Sequence, residues 1–181
     1  FPFSLVKIEE GTFQNCMSLT KISFDSNSKI ELIGANAFSN SPLTEVLFDE
    51  SSNAPTIISD AAFGYCKLLR KVKLPPKVKQ IKIGCFYCCY SITQIVIPSS
   101  LKILDLNVFV GCKSLKKIEF QQPSSLERIC QNALKDCSSL CEIKIPKLVS
   151  VIEDFAFENC SSLKIVSFEE NSILELIDEC A

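Results

Sequence analysis

Eleven cysteines and no histidine among 181 residues define the chemistry that this chain could perform. Cys85, Cys88 and Cys89 lie close enough together in the sequence to suggest a metal site or a redox pair. A zinc site needs four converging ligands, and without histidine the chain lacks a common metal ligand and the usual general base. The carboxylates are scattered along the chain. We therefore expect no enzyme, no catalytic residue, no metal and no cofactor.

An internal repeat gives the cysteines a different explanation. In residues 152–168, Ile152 is followed at fixed distances by Phe157, Cys160, Leu163 and Val166, and six further copies keep this frame. The copies recur at intervals of about 23 to 25 residues, a period typical of a leucine-rich-repeat solenoid. The aromatic slot holds Phe13, Phe38, Phe63, Phe86, Phe109, Leu134 and Phe157.

One slot of the repeat is reserved for cysteine. A free cysteine is small, apolar and often buried, so we predict an internal column in which Cys66, Cys89, Cys112, Cys137 and Cys160 are buried and unpaired, packing or donating weak hydrogen bonds to turn carbonyls. Cys16 shares this slot, and Ser41 fills it in the second copy. Cys85 falls in an inward slot that elsewhere holds alanine. Otherwise polar slots hold Cys88, Cys130 and Cys141, which we predict to be exposed thiols.

The elements that position these side chains follow from the same frame. Alternating inward and outward residues predict one strand per copy, beginning at Lys21, Glu45, Lys71, Gln94, Lys117, Glu142 and Ile165. We expect an α/β leucine-rich-repeat solenoid, a right-handed β/α superhelix with one parallel sheet on its concave face. The return side should hold short strands, and the Ala-Phe-x-x-Cys segment a helical or 3₁₀ turn. Residues 1–181 are expected to form a single solenoid of seven repeats and a partial eighth, with terminal caps missing.

The pattern L-x-x-I-x-x-x-A-F-x-x-C-x-x-L-x-x-I-x-I-P resembles the BspA-like leucine-rich repeats, most clearly in residues 78–98, 101–120 and 149–168. The resemblance implies a protein displayed on the surface of mucosal bacteria or parasitic protists, where many members bind host matrix proteins or cells. It implies no shared catalytic residues. We expect a segment of a longer array located at the cell surface or secreted, with a cytoplasmic location as the alternative.

The charge distribution is uneven although the net charge is only −2. No field of the whole chain favours nucleic acid, and no run of about 18 apolar residues predicts a membrane span. Residues 64–104 contain no acid but include Lys67, Arg70, Lys71, Lys73, Lys77, Lys79, Lys82 and Lys102. This span is either an ordinary solvated surface or a docking patch for an acidic protein or a sulfated glycan.

Two groups of outward residues are candidate partner-binding sites. On the sheet face, stacking should pair Glu45 with Lys71, Lys117 with Glu142, and Glu119 with Lys144. That leaves a basic centre with apolar shoulders, formed by Arg70, Lys71, Lys73, Leu47 and Val96. On the turn side, an exposed patch is predicted for Tyr65, Tyr87 and Tyr90, with the alternative that Tyr65 and Tyr87 only cover the coil edge.

Together with what the resemblance implies about host partners, these features predict a non-enzymatic protein-binding or adhesion module that recognises a host protein, matrix component or glycan through its sheet face. An intracellular scaffold that uses the same face is the alternative. The sequence leaves the oligomeric state open.

Overall fold

The computed structural model describes residues 1–181 and contains fifteen strands, two in each full coil, and no helix. The first strand of each coil is short, and these strands are β1 (Lys7–Ile8), β3 (Leu32–Ile33), β5 (Ile57–Ile58), β7 (Gln80–Ile81), β9 (Ile103–Leu104), β11 (Arg128–Ile129), β13 (Val151–Ile152) and β15 (Leu176–Ile177). The second is longer, and these strands are β2 (Lys21–Phe24), β4 (Glu45–Phe48), β6 (Lys71–Lys73), β8 (Gln94–Ile97), β10 (Lys117–Phe120), β12 (Glu142–Ile145) and β14 (Ile165–Phe168).

The strands of successive coils pair in parallel and in register, so that Ile22 lies opposite Val46. Parallel stacking is therefore confirmed, but the long strands form three sheets rather than one. These sheets have the orders β2-β4-β6, β8-β10 and β12-β14. The long-strand face is thus broken between β6 and β8 and between β10 and β12. At the first break β6 ends at Lys73, ahead of Pro75 and Pro76, and proline cannot donate to a ladder.

The segment between the two strands of a coil is the continuous element of the molecule. The backbone N–H groups of Asn36, Phe38 and Asn40 donate to carbonyls of the next coil over 2.8–2.9 Å. Between them, Ala37 and Ser39 donate three residues back within their own coil. Three such rungs recur at each of six junctions, with donors at residues 11, 13, 15, 36, 38, 40, 61, 63, 65, 84, 86, 88, 107, 109, 111, 132, 134 and 136. We call this arrangement the turn ladder.

The predicted short strands of the return side are present, but the prediction of an α/β fold with helical or 3₁₀ turns is wrong. A right-handed helix needs negative φ at every residue, whereas each turn segment contains two residues of positive φ, such as Asn36 at 53° and Asn40 at 55°. In addition, half of the segment's N–H groups bond to the neighbouring coil, so they are not available for helical hydrogen bonds.

The core lies between the strands and the turn ladder and contains a stack of aromatic rings. Phe13, Phe38, Phe63, Phe86 and Phe109 stack face to face with centroids 5.2–5.6 Å apart and planes within 10° of parallel. All except Phe13 are buried. The stack ends at Leu134, which replaces the ring in the next coil.

Candidate functional site

The buried thiols have a structural role in the core. Cys66, Cys89, Cys112 and Cys137 are buried and free, as predicted. Each Sγ donates to the carbonyl of the aromatic residue in the preceding coil over 3.1–3.4 Å. Cys160 is only partly buried but makes the same bond to the Leu134 carbonyl at 3.2 Å. Burial raises the pKa of Cys66 to about 11, so this thiol is protonated and unreactive at neutral pH.

The prediction of exposed thiols is correct for Cys141, while Cys88 is half-buried. It is wrong for Cys130, which is buried. The reason lies in Glu153 of the next coil. Its carboxylate accepts hydrogen bonds from Arg128 and from the Gln131 amide, both at 3.0 Å, and so closes over the position beside Cys130. Burial, followed by the nearby Glu153 carboxylate, raises the pKa of the Cys130 thiol to about 12.

Ion pairs on the long-strand face differ from the predicted ones. Glu45 does lie opposite Lys71 in the register, but its carboxylate pairs with Lys21 at 2.8 Å. Lys117 pairs with Glu119 of its own strand. Its predicted partner, Glu142, lies on β12, which does not pair with β10. Lys73, expected to be unneutralised, pairs with Glu50 at 3.0 Å.

The basic centre on this face is consequently smaller than the sequence predicts. Arg70 and Lys71 are exposed and have no carboxylate within ion-pair distance. Val96 beside them is 41% exposed, whereas Leu47 is half-buried. The break between β6 and β8 runs through this group, so Lys71 and Val96 lie on neighbouring strands that share no backbone ladder.

A groove on the same face was not predicted. It has a volume of about 470 Å³ and lies where β10 and β12 fail to pair. Its lining includes Lys117, Glu119, Gln122, Glu142, Lys144, Ile165, Ser167 and Glu169. Gln122 donates to Glu169 at 2.6 Å across one end. Sequence reasoning missed the groove because it assumed that every long strand pairs with both neighbours.

On the turn side Tyr65 and Tyr87 form a ring pair, and Tyr90 lies beside Cys88 of the same coil as Tyr87. Tyr65 is 46% exposed and its ring centroid lies 5.3 Å from that of Tyr87, with the planes tilted by 57°. Tyr90 is half-buried, and the Lys113 ammonium lies 5.6 Å from its ring centroid. Charge on the neighbouring Cys88 raises the pKa of the Tyr87 phenol above its usual value.

Parallel coils, an aromatic stack and, from the second coil to the seventh, one hydrogen-bonding cysteine or serine in each coil are the features of a leucine-rich-repeat solenoid. The model of the family described as "BspA type Leucine rich repeat region" matches residues 1–116 and 79–181. The chain belongs to this family, whose members are generally non-enzymatic protein-interaction or surface modules.

Two solved structures of similar fold are bacterial proteins. A leucine-rich cell surface protein of Faecalibacterium prausnitzii is 25% identical with a TM-score of 0.79, over 91% of this chain and 43% of that one. A leucine-rich repeat protein of T. pallidum is 25% identical with a TM-score of 0.67, over 96% of this chain and 64% of that one. This chain thus spans less than two thirds of either protein. Comparison with the curated proteins found no match. The structure has no helix of the length and apolarity needed to cross a membrane.

Proposed function

We propose that this chain is a protein-binding module of a cell surface protein and that it binds an acidic segment of its partner through the long-strand face. The observation that carries the proposal is the adjacent pair of exposed cations, Arg70 and Lys71, which have no carboxylate partner, whereas Lys21, Lys73 and Lys117 on this face each have one. Lys144 is also unpaired, but it lines the groove together with Glu119 and Glu142. Such cations attract and orient an acidic partner more than they contribute to raw affinity.

The surroundings of this pair support the same site. Val96 and Leu47 provide apolar contact area next to the charges. The acid-free span extends the positive field, since Lys67, Lys77, Lys79 and Lys82 also lack ion-pair partners, although they lie on other sides of the coils. The resemblance to a bacterial cell surface protein supports adhesion to a host protein or matrix component.

A binding experiment with a charge-reversal variant tests this proposal. The chain is titrated against an immobilised panel of extracellular-matrix proteins, as wild type and as Arg70→Glu with Lys71→Glu. We expect at least one partner, whose affinity falls about tenfold or more in the double variant and weakens as the salt concentration rises. The matched control is Lys164→Glu, since Lys164 takes the Arg70 position before β14. Equal affinities of wild type and double variant, with unchanged circular dichroism, would refute the site.

A second candidate function is an intracellular scaffold that uses the same face. It is favoured by Cys141 and Cys180, which are exposed as free thiols, because exposed thiols persist most readily in a reducing compartment. Surface labelling of intact cells with an antibody against this chain separates the two functions. A signal without permeabilisation supports the surface module, and a signal only after permeabilisation supports the scaffold.

A further inference from the structure

The distribution of aromatic residues marks out one place on the turn side. The chain has thirteen phenylalanines, three tyrosines and no tryptophan. The stacked phenylalanines lie in the core, whereas all three tyrosines lie within two adjacent coils on the same edge. Tyrosine joins an apolar ring to a polar hydroxyl and is favoured at binding sites for that reason.

Tyr65 and Cys88 occupy a backbone conformation that other residue types adopt more easily. Tyr65 and Cys88 have φ of 60° and 56°, a conformation that is unfavourable for bulky side chains and easy for asparagine and glycine. The same position in the other coils is filled by Asn15, Asn40, Gly111, Asp136 and Asn159.

The side chains of the outer coils stabilise this position by pairing. Asn40 donates to Asn15 at 2.8 Å, and Asn159 donates to Asp136 at 2.8 Å. In the central coils Tyr65 and Cys88 occupy this position, and they do not make this side-chain hydrogen bond. Strain by itself does not define a site, because Phe155 also has a positive φ, of 57°, at the other end of its turn. The clustering of every tyrosine at the interruption provides the second, independent observation.

The turn ladder limits what kind of ligand can bind here. The N–H groups of Tyr65 and Cys88 already donate to Tyr87 and Val110 at 2.7 and 2.8 Å. An extended peptide therefore finds no free donors with which to add a strand. A ligand must be recognised by ring faces, hydroxyls and charged side chains.

The charges without a partner at this patch are cationic, since the nearby Asp136 carboxylate accepts a hydrogen bond from Asn159. Lys67 and Lys113 are exposed, and neither lies within ion-pair distance of a carboxylate. Lys113 lies over the Tyr90 ring. Gly111 packs closely beside both Cys88 and that ring, since an added Cβ would lie 3.3 Å from the Cys88 Sγ and 3.8 Å from the Tyr90 ring. A third cation, Lys135, forms an ion pair with Glu158. Rings that can stack on the C–H face of a sugar, with ammonium groups beside them, match a pyranose that carries an acidic group.

We propose that Tyr65, Tyr87 and Tyr90, with Lys67 and Lys113 at their edge, form a binding site for an acidic oligosaccharide on the turn side. This site is separate from the protein-binding site proposed on the long-strand face. The three rings hold the sugar by stacking, and the two ammonium groups select sugars with carboxylate or sulfate groups.

Intrinsic fluorescence gives a direct readout, since the chain has no tryptophan and its emission comes from these three tyrosines. The probes are a hyaluronan hexasaccharide, a chondroitin sulfate hexasaccharide, neutral maltohexaose and a hexaglutamate peptide. We expect at least one acidic hexasaccharide to change the tyrosine emission and to bind about tenfold or more tightly than maltohexaose and hexaglutamate. The proposal fails if neither acidic sugar changes the emission. It also fails if hexaglutamate binds equally well, which indicates a peptide site, or if maltohexaose does, which shows that charge is not used.

The variant Tyr65→Asn separates binding from folding. It restores the residue of the neighbouring slots, so its melting temperature should be unchanged or about 2–4 °C higher, while affinity for the acidic sugar, measured by calorimetry, should fall about tenfold. The double variant Arg70→Glu with Lys71→Glu should keep the sugar affinity within about twofold. Full affinity in Tyr65→Asn, or loss of sugar binding in the long-strand double variant alone, would overturn the turn-side site without deciding the protein-binding proposal.

Discussion

At the scale of single residues, the cysteine slot has two requirements. Its side chain must fit a close-packed core, and it must donate one hydrogen bond to the carbonyl of the aromatic residue in the preceding coil. Ser41 shows that the second requirement does not need sulfur, since its hydroxyl donates to the Phe13 carbonyl at 3.0 Å, just as Cys89 does to Phe63 at 3.1 Å. The slot is therefore defined by size and by donor capacity, and no redox chemistry is required of it.

This reading predicts different costs for two substitutions at Cys89. Cys89→Ser keeps a donor at the same position and should change the free energy of unfolding by about 1 kcal/mol or less. Cys89→Ala removes both the donor and buried volume and should cost about 1–3 kcal/mol. Urea unfolding followed by circular dichroism measures both values. A serine variant that is as unstable as the alanine variant would contradict the hydrogen-bonding role.

The buried thiols should also destabilise the fold at high pH. Burial raises the pKa of Cys66 and of Cys160 to about 11, above the value of about 8.5 in an unfolded chain. The unfolded state therefore loses its thiol protons first, and the stabilisation present below about pH 8.5 is lost as the pH rises towards the folded pKa.

The measurement is the free energy of unfolding between pH 7 and about pH 11. Lysines titrate in the same range, so the control is a variant with Cys66→Ser and Cys160→Ser, in which the decline should be shallower. Identical pH profiles for wild type and variant would show that these thiols do not couple to folding.

The sequence determined the buried cysteines better than the exposed ones. A recurring slot fixes the inward direction, and so Cys66, Cys89, Cys112 and Cys137 were placed correctly. Cys130 was misplaced because its burial depends on one carboxylate of the next coil, Glu153, and on the two donors that hold it. A contact specific to one junction leaves no trace in the repeat frame.

At the scale of elements, the turn segment is where sequence reasoning chose the wrong structure. Its spacing of apolar residues fits a helical turn, but a signal against a helix was present. Asn or Gly recurs at both ends of the segment, as at Asn36 and Asn40 or at Gly11 and Asn15, and all four have positive φ. Such residues are the ones that adopt this conformation readily, so the pattern could have predicted paired turns.

The close approach of neighbouring turns predicts a large effect at Gly34. A Cβ atom there would lie 2.5 Å from the Glu10 nitrogen and 2.6 Å from the Glu9 carbonyl carbon, both of which are backbone atoms. Gly34→Ala should therefore force the first two coils apart and cost about 2–3 kcal/mol.

The matched control is Gly84→Ala. Gly84 has a φ of +59°, and its added Cβ would meet only the Tyr87 Cβ at 3.6 Å. The preceding coil already carries Ala61 at this position with a φ of 49°, so the cost should be about 1 kcal/mol. Chemical denaturation compares the two variants, and equal losses would contradict the proposed backbone clash.

The aromatic stack predicts a strong dependence on its central rings. Phe63 is buried and stacks on Phe38 and Phe86 at 5.4 and 5.6 Å. Phe63→Ala should cost about 3–5 kcal/mol, from lost burial and the cavity left behind. Phe3→Ala is the control, because Phe3 is 54% exposed and outside the stack, and it should change stability by about 0.5 kcal/mol or less. If thermal unfolding shows equal losses of stability in the two variants, the stack is not central to stability.

At the scale of the whole molecule, the turn side holds the stack together, and the proposed protein partner is assigned to the long-strand face. The turn ladder crosses six junctions with three rungs each, while the long-strand face is divided into three sheets. The repeat predicts how many coils stack and which residues point inward, because those properties are shared by all copies. It does not predict the breaks, the groove at β10 and β12, or the pairing of Lys73 with Glu50, because these depend on differences between copies. A face that does not have to hold the stack together can vary to suit a partner.

The central claim is that the turn ladder, and not the long-strand sheet, holds the coils together, which leaves the long-strand face free for recognition. Native-state hydrogen exchange tests it directly. The ladder amides of Phe38, Phe63, Phe86, Phe109 and Leu134 should exchange slowest and at similar rates across all their junctions. On the other face, β8 and β12, each next to a break, should on average exchange faster than β4, which is paired on both sides. The account would be contradicted if the slowest-exchanging amides lay in all the long strands without interruption and the ladder amides exchanged as fast as those of exposed loops.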